Sequence, residues 1–176
     1  MPYQSTKTLG HNLGLSAAFR QHRAESHCRL IHGYALAIRI VFAASELDVR
    51  GWVVDFGSLK SLRQRIEDTF DHKLLVAEDD PMKDQLMALG KAGLADVVMV
   101  EATGCEAFAK LIFDSTEVWL ADAGYKPRCW VESVEVMEHG ANSAIYLRGA
   151  LDLGPESFGD ALVTNILNLG TPGAAA

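Results

Sequence analysis

The sequence is poor in cysteine, with three among 176 residues, and it has no long apolar run. A small, odd set of cysteines does not indicate a disulfide framework, so a reducing cytoplasm is the expected compartment. No segment approaches the roughly 20 apolar residues that a membrane span needs. The first dozen residues also lack the basic and apolar regions of a signal peptide. We therefore predict a cytoplasmic protein that does not associate with a membrane.

Positive charge is scarce as well. The chain has 16 Lys and Arg against 23 Asp and Glu, which gives a net charge of -7 and a pI of about 5.3. This balance argues against a nucleic-acid partner or an anionic membrane surface. The 49% hydrophobic and 22% charged content is typical of a globular domain, and the length fits a single one, residues 1–176.

Strands are predicted in the first and last thirds of the chain. Residues 33–44 alternate between apolar and other side chains, which predicts a strand with one buried face. An apolar segment from Leu9 to Phe19 can pair with it, and a short strand is predicted over Gly51–Phe56. Two later strands, Arg128–Glu138 and Ser143–Leu151, are joined by residues 139–142, which suit a hairpin turn.

Helical spacing occupies the middle of the chain. An apolar stripe predicts a helix over residues 58–70 with Ser58 as its N-cap, and a second helix runs from Cys105 to Ala123. Between them, an inserted segment over about 76–104 is predicted to hold a short helix, Pro81–Leu89, and a short strand at 97–100. A tail from about residue 154 contains a possible helix, Ser157–Leu167. This order predicts an α+β fold with antiparallel hairpins and helices on one face.

The densest group of chemically active side chains lies between the first two long strand patterns. It comprises His22, His27, Cys28, His32 and Tyr34. Imidazole and thiolate are good zinc ligands, but the spacing matches no established zinc motif, so the spacing alone favours histidines that cap a loop or lie in solvent. Nearby cationic side chains favour a Cys28 thiolate. Cys105 and Cys129 have apolar or element-terminal settings and are predicted to be packing residues.

Two carboxylate and imidazole pairs are further candidates. Asp71 and His72 follow the first helix, and a carboxylate that orients an imidazole is a common general-base arrangement. Glu138 and His139 stand at the end of a predicted strand, where a carboxylate can accept two hydrogen bonds from an amino-substituted ring edge. For both pairs, a solvated polar surface remains an alternative.

These motifs, taken in order, resemble the family of 6-pyruvoyltetrahydropterin and 6-carboxytetrahydropterin synthases. The family pattern reads approximately AAH, C-x-x-x-HGH, DF-x-x-LK, LDH-x-x-LN, PT-x-E-N and a late Glu. The matching positions are Cys28, His32-Gly33, Asp55-Phe56, Leu59-Lys60, Asp71-His72, Glu106 and Glu138. The resemblance covers roughly Leu9 to Gly149, interrupted by the insertion.

The resemblance implies a fold and an assembly. Each subunit is expected to be a T-fold, or tunnelling fold, with a four-stranded antiparallel sheet and two helices packed on one face. Three subunits would close a barrel, two trimers would stack into a homohexamer, and the active sites would lie at subunit interfaces.

The resemblance also implies a chemistry. The expected enzyme is a lyase that acts on 7,8-dihydroneopterin triphosphate or a related pterin, with a zinc ion held by three histidines. The catalytic roles fall to Cys28, Asp71 and His72, while Glu138 holds the pterin and Glu106 contributes to substrate binding. The Cys-x-x-x-His spacing resembles the bacterial 6-carboxy branch, whose product enters queuosine synthesis.

The departures from the family pattern concern the metal. Phe19 and Tyr34 replace two of the three expected ligands, which leaves His32. A catalytic zinc site ordinarily needs three protein ligands, so zinc binding would require His22 or His27 to enter the site or Tyr34 to bind as a phenolate. The acid–base residues are retained. A pterin-converting lyase with altered metal dependence, a non-catalytic pterin or deazapurine binder, and a structural paralogue that assembles with a true synthase all stay open.

Overall fold

The computed structural model describes residues 2–149, which form an α+β fold as predicted. The described residues contain seven strands and three α-helices. In chain order they are β1 (Tyr3–Leu9), β2 (Leu15–Phe19), β3 (His32–Ala44), α1 (Leu59–Phe70), β4 (Lys73–Ala77), α2 (Lys83–Lys91), β5 (Asp96–Val100), α3 (Cys105–Asp122), β6 (Cys129–His139) and β7 (Asn142–Leu147). The helix predicted at Ser157–Leu167 and the last residues of the strand predicted over Ser143–Leu151 lie outside the described residues.

The long strand β3 organises the antiparallel part of the sheet. β1 and β2 pair with successive stretches of β3, with Leu9 opposite Ile38 and Leu15 opposite Leu36. They therefore form one arm that is interrupted by residues 10–14, where Gly14 adopts a left-handed φ of 69°. β6 pairs with the other edge of β3, and β7 pairs with β6. The predicted pairing of the segment before Phe19 with residues 33–44 is confirmed.

The prediction of a four-stranded antiparallel sheet with two helices on one face is wrong in the number and direction of the strands, because the described residues form a seven-stranded sheet. The sheet is mixed, in the order β5-β4-β2-β3-β6-β7, because β4 runs parallel to β2 and β5 runs parallel to β4. Residues Leu74 to Ala77 of β4 are all buried, as is typical of a parallel strand covered on both faces. On one of those faces Leu74 and Val76 pack with Leu86 of α2.

The predicted strand over Gly51–Phe56 is absent from the fold. The Asp48 carboxylate accepts hydrogen bonds from the backbone N–H groups of Arg50 and Trp52, both at 2.9 Å. The Arg128 guanidinium donates to the carbonyl oxygens of Trp52 and Val53 at 3.2 and 2.8 Å. Side chains therefore satisfy the backbone groups that a strand would have paired, and the segment is a loop.

The main core lies between the sheet and the helices α1 and α3, on what we call the inner face. Alternate residues of β3, from Leu36 to Phe42, are buried there against residues such as Phe70 of α1 and Phe108 of α3. The two long helices predicted over 58–70 and Cys105–Ala123 are confirmed within one residue at each end. The Ser58 hydroxyl does not cap α1, because it bonds to Asp55 and Tyr125 instead. Within residues 2–149, no helix is long and apolar enough to cross a membrane.

Candidate functional site

The inner face of β3 ends in a cluster of rings. His32 and Tyr34 continue the alternation of Leu36 but are only half-buried, while Phe19, opposite His32 on β2, is fully buried. The Phe19 ring centroid lies 4.9 Å from that of His32 and 5.0 Å from that of Phe108. The His32 and Tyr34 rings meet edge to face at 5.6 Å. We call Phe19, His32 and Tyr34 the ring cluster.

Polar groups from three other parts of the chain gather near the Tyr34 hydroxyl. Burial raises the pKa of Tyr34, and the Glu138 carboxylate and the Cys28 and Cys105 thiols raise it further. These groups come from the end of β6, the loop before β3 and the start of α3. The phenol therefore stays protonated and can donate a hydrogen bond at neutral pH.

The three cysteines differ in their environments. Burial, helped by a hydrogen bond to Glu138, raises the pKa of Cys105 to about 12, and burial raises the pKa of Cys129 to about 11. Both are buried, which confirms them as packing residues, whereas Cys28 is half-buried. Cys28 lies in a 3-10 turn, His27–Arg29, where its N–H donates to the Ser26 hydroxyl at 3.3 Å. The contact of Cys105 with Glu138 was not anticipated, because the two are distant in sequence.

The residues present do not fit a three-histidine zinc centre. Within residues 2–149 there is no group of three His, Cys, Asp or Glu side chains that could hold a metal ion. The Phe19 ring fills its position against Phe108, and His32 Nδ1 bonds to the Leu30 carbonyl oxygen at 2.8 Å. His22 lies elsewhere, with Nε2 3.7 Å from an Asp79 oxygen. We therefore derive no step through zinc.

Asp71 and His72 form a second polar group, at the other end of β2. The Asp71 carboxylate accepts hydrogen bonds from the Ser16 N–H at 3.0 Å and from His72 Nδ1 at 2.9 Å. The Ser16 bond, with the neighbouring His72, lowers the pKa of Asp71. His72 reaches back to its neighbour from a left-handed backbone with φ of 57°, and its side chain is 82% exposed. The two side chains are therefore in contact, which the sequence alone had left open.

The structure does not bring this pair to Cys28 within one chain. Asp71 is held at Ser16, whereas the Cys28 carbonyl oxygen is held by the Gln21 N–H at 2.9 Å. Ser16 and Phe19 lie near opposite ends of β2, about 10 Å apart at roughly 3.3 Å per residue, and Gln21 follows in the loop beyond Phe19. Glu106 is exposed in the first turn of α3, and it helps to raise the pKa of the neighbouring Cys105.

This chain is similar in sequence to proteins of known name. The Rickettsia conorii 6-carboxy-5,6,7,8-tetrahydropterin synthase is 38% identical over 63 residues, or 34% of this chain and 46% of that protein. The chain thus spans less than half the length of that relative. The Bacillus subtilis protein of the same name is 29% identical over 122 residues, which cover 69% of this chain and 73% of that protein.

Solved structures share the fold. An uncharacterized protein from Wolinella succinogenes matches with a TM-score of 0.72 and 19% identity, over 85% of this chain and 99% of that one. The Plasmodium vivax 6-pyruvoyltetrahydropterin synthase, as the E37A catalytic residue mutant, matches with a TM-score of 0.59 and 15% identity, over 84% and 99% of the two chains. The family model described as 6-pyruvoyl tetrahydropterin synthase matches residues 9–149, and the chain therefore belongs to that family.

Proposed function

We propose that this chain is a pterin-processing lyase of the 6-carboxytetrahydropterin synthase type, acting on 7,8-dihydroneopterin triphosphate or a closely related pterin. Family membership and the names of its relatives support this proposal. The observation that carries it is the grouping around Tyr34: the His139 ring, next to Glu138, lies 6.3 Å from the Tyr34 ring, and the Glu138 carboxylate and the Cys28 thiol both help to raise the pKa of the Tyr34 phenol.

Each group has a role in this proposal. The Glu138 carboxylate accepts hydrogen bonds from the amino-pyrimidine edge of the pterin, which fixes the ring, and Glu106 contributes to substrate binding. The Cys28 thiolate moves protons on the side-chain carbons, as a positioned general base does. Tyr34, held protonated, donates a hydrogen bond to an oxygen of the substrate side chain.

The separation of Cys28 from Asp71 and His72 favours an assembled enzyme. An exposed His72 with an oriented imidazole can serve the Cys28 of another copy, which would complete the site between subunits. We propose a homo-oligomer, with the hexamer as the form that the family resemblance implies. A cytoplasmic location and a place in queuosine synthesis belong to the same proposal.

The direct test is turnover of 7,8-dihydroneopterin triphosphate by the purified full chain, with acetaldehyde and the pterin product measured separately. We expect both products, and we expect light scattering to give a mass well above the 19.1 kDa of one chain. A monodisperse monomer would contradict the shared site, and absence of turnover with every metal supplied would contradict the lyase.

A non-catalytic binder of pterins or deazapurines is the second candidate. The Phe19 ring, which is fully buried where the family pattern has a histidine, favours it. Calorimetry separates the two functions. Pterin binding that depends on Glu138, without any turnover, would support the binder.

A further inference from the structure

The insertion binds the loop that carries Cys28 through an ion pair and a hydrogen bond. This loop, residues 20–31, joins β2 to β3, and its first residue, Arg20, forms a two-point ion pair with Asp80 of the insertion. Arg20 Nε lies 2.8 Å from Asp80 Oδ2, and Nη2 lies 3.2 Å from Oδ1. Asp80 is only 3% exposed, so this is one of the few buried charges among the described residues.

The Asp80 carboxylate is itself held in place. It lies three residues after the end of β4 and accepts a hydrogen bond from the Met82 N–H at 2.8 Å. Burial works to raise the pKa of Asp80, but the Met82 and Arg20 hydrogen bonds outweigh it, so the pKa is lowered. His22 Nδ1 also faces this carboxylate at 3.9 Å, and Arg23 pairs with the neighbouring Asp79.

The C-terminal end of the insertion also contacts Arg20. The Thr103 hydroxyl, beyond β5, donates to the Arg20 carbonyl oxygen at 2.6 Å. The next residue, Gln21, donates its N–H to the Cys28 carbonyl oxygen at 2.9 Å. A continuous series of bonds therefore runs from both ends of the inserted strands through Arg20 and Gln21 to Cys28.

We propose that Asp80 is a positioning residue for Cys28, and that the insertion, through Asp80 and Thr103, serves to hold the Cys28 loop beside the ring cluster. The role in catalysis rests on the proposed function, while the mechanical claim does not. The Asp80 carboxylate is buried, is ordered by Met82, and pairs with two nitrogens of the Arg20 guanidinium. Such two-point pairs fix orientation as well as distance, so the position of Asp80 determines where the loop begins.

The test is Asp80→Asn in the full chain, labelled with iodoacetamide under native conditions and counted by mass spectrometry. Released from its anchor, the loop should open locally, and Cys28 should react about fivefold faster or more. Buried Cys105 and Cys129 should remain unlabelled. Asp122→Asn is the matched control, because Asp122 also pairs with an arginine, Arg65, but joins α1 to α3 far from the loop.

Selective acceleration at Cys28, absent from the control, supports the proposal. An unchanged Cys28 rate overturns it, and so does simultaneous labelling of all three cysteines, since general unfolding would expose them together. If Asp80→Asn does not fold, Thr103→Val removes only the second anchor and is judged by the same labelling pattern.

Turnover then distinguishes this inference from the proposed function. If the lyase is correct, Asp80→Asn should lower kcat while KM changes by less than about twofold, because the pterin carboxylate Glu138 is untouched. Selective labelling without turnover in any variant would retain the positioning role and reject the lyase.

Discussion

The two ends of β2 carry different halves of the proposed apparatus, and they differ in how enclosed they are. At the Phe19 end, the Cys28 thiol and the Glu138 carboxylate act on the half-buried Tyr34 phenol, whose ring meets that of His32 edge to face at 5.6 Å. At the Ser16 end, Asp71 and His72 are ordered by backbone bonds but lie open to solvent. One end has the thiol and the carboxylate without the Asp–His pair, and the other has the pair without the thiol. Under the proposed function, a complete site therefore needs residues from two chains.

The prediction with the largest effect on turnover concerns variants that each lack the group from one end of β2. Cys28→Ala and His72→Ala should each lower turnover by about 100- to 10,000-fold, the usual range for a general acid or base. After the two variants are dissociated, mixed and reassembled, they should regain about a quarter of wild-type activity. In a randomly mixed symmetric oligomer, about a quarter of the sites receive an intact Cys28 from one subunit and an intact His72 from its neighbour. Acetaldehyde release measures it. Failure of the mixture to regain any activity would place both groups in one chain's site.

The second prediction tests the enclosed end alone. Glu138→Ala should weaken pterin binding by about 1.5–3 kcal/mol, the typical contribution of hydrogen bonds to a charged group. Calorimetry measures the affinity. Glu135→Ala is the matched control, since Glu135 lies on the same strand and its carboxylate bonds to Ser143 instead of approaching Tyr34. Equal affinities for the two variants would remove Glu138 from the binding site.

The third prediction asks whether the enclosed end can be returned to a metal site. Phe19→His with Tyr34→His restores the ligand types of the family pattern beside His32. We expect the wild-type protein to hold less than one zinc ion per chain and the double variant to approach one. The double variant should melt at a lower temperature than wild type until zinc is added, because it loses the buried Phe19 packing. Stoichiometric zinc in the wild-type protein would contradict our account of the ring cluster.

The smallest expected effect belongs to the open end. The pKa of Asp71 is lowered in the folded chain, so its contribution to the free energy of unfolding is present above the ordinary aspartate pKa of about 4. That contribution is lost as the pH falls through the lower folded value. Asp71→Asn should therefore be less stable than wild type at pH 7, and the gap should narrow towards pH 2. Urea unfolding measures it, with Asp84→Asn, an exposed site on α2, as the control. A gap that does not change with pH would contradict this account.

The helices and the hairpin were predictable because their signals are local. The apolar stripe of α1 and the extent of α3 follow from residues within a few turns, and the structure confirms both helices. The predicted strand over Gly51–Phe56 failed partly because of a distant partner. Nearby Asp48 binds the Trp52 N–H, but the carbonyl oxygens of Trp52 and Val53 accept from Arg128, about 75 residues away.

The candidate site was predictable in its residues and unpredictable in its grouping. Cys28, Asp71, His72, Glu106 and Glu138 could be named from motif order, as could the replacement of two ligands by Phe19 and Tyr34. No pattern indicated that Cys105 bonds to Glu138, or that His22 faces the acidic residues of the insertion. Those contacts join segments more than 30 residues apart, and periodicity carries no information at that range.

Residue type and near-neighbour spacing were enough to predict the α+β class, the main helices, the family resemblance and the candidate site residues. Three features emerged only from the fold: β4 and β5 extend the sheet, Asp71 and His72 are held at the opposite end of β2 from the Cys28 loop, and Asp80 is buried against Arg20 of that loop. These features depend on which strand edges pair and which buried charges meet. Such choices are settled by the packing of the whole chain, since a buried carboxylate must find a partner wherever the fold provides one.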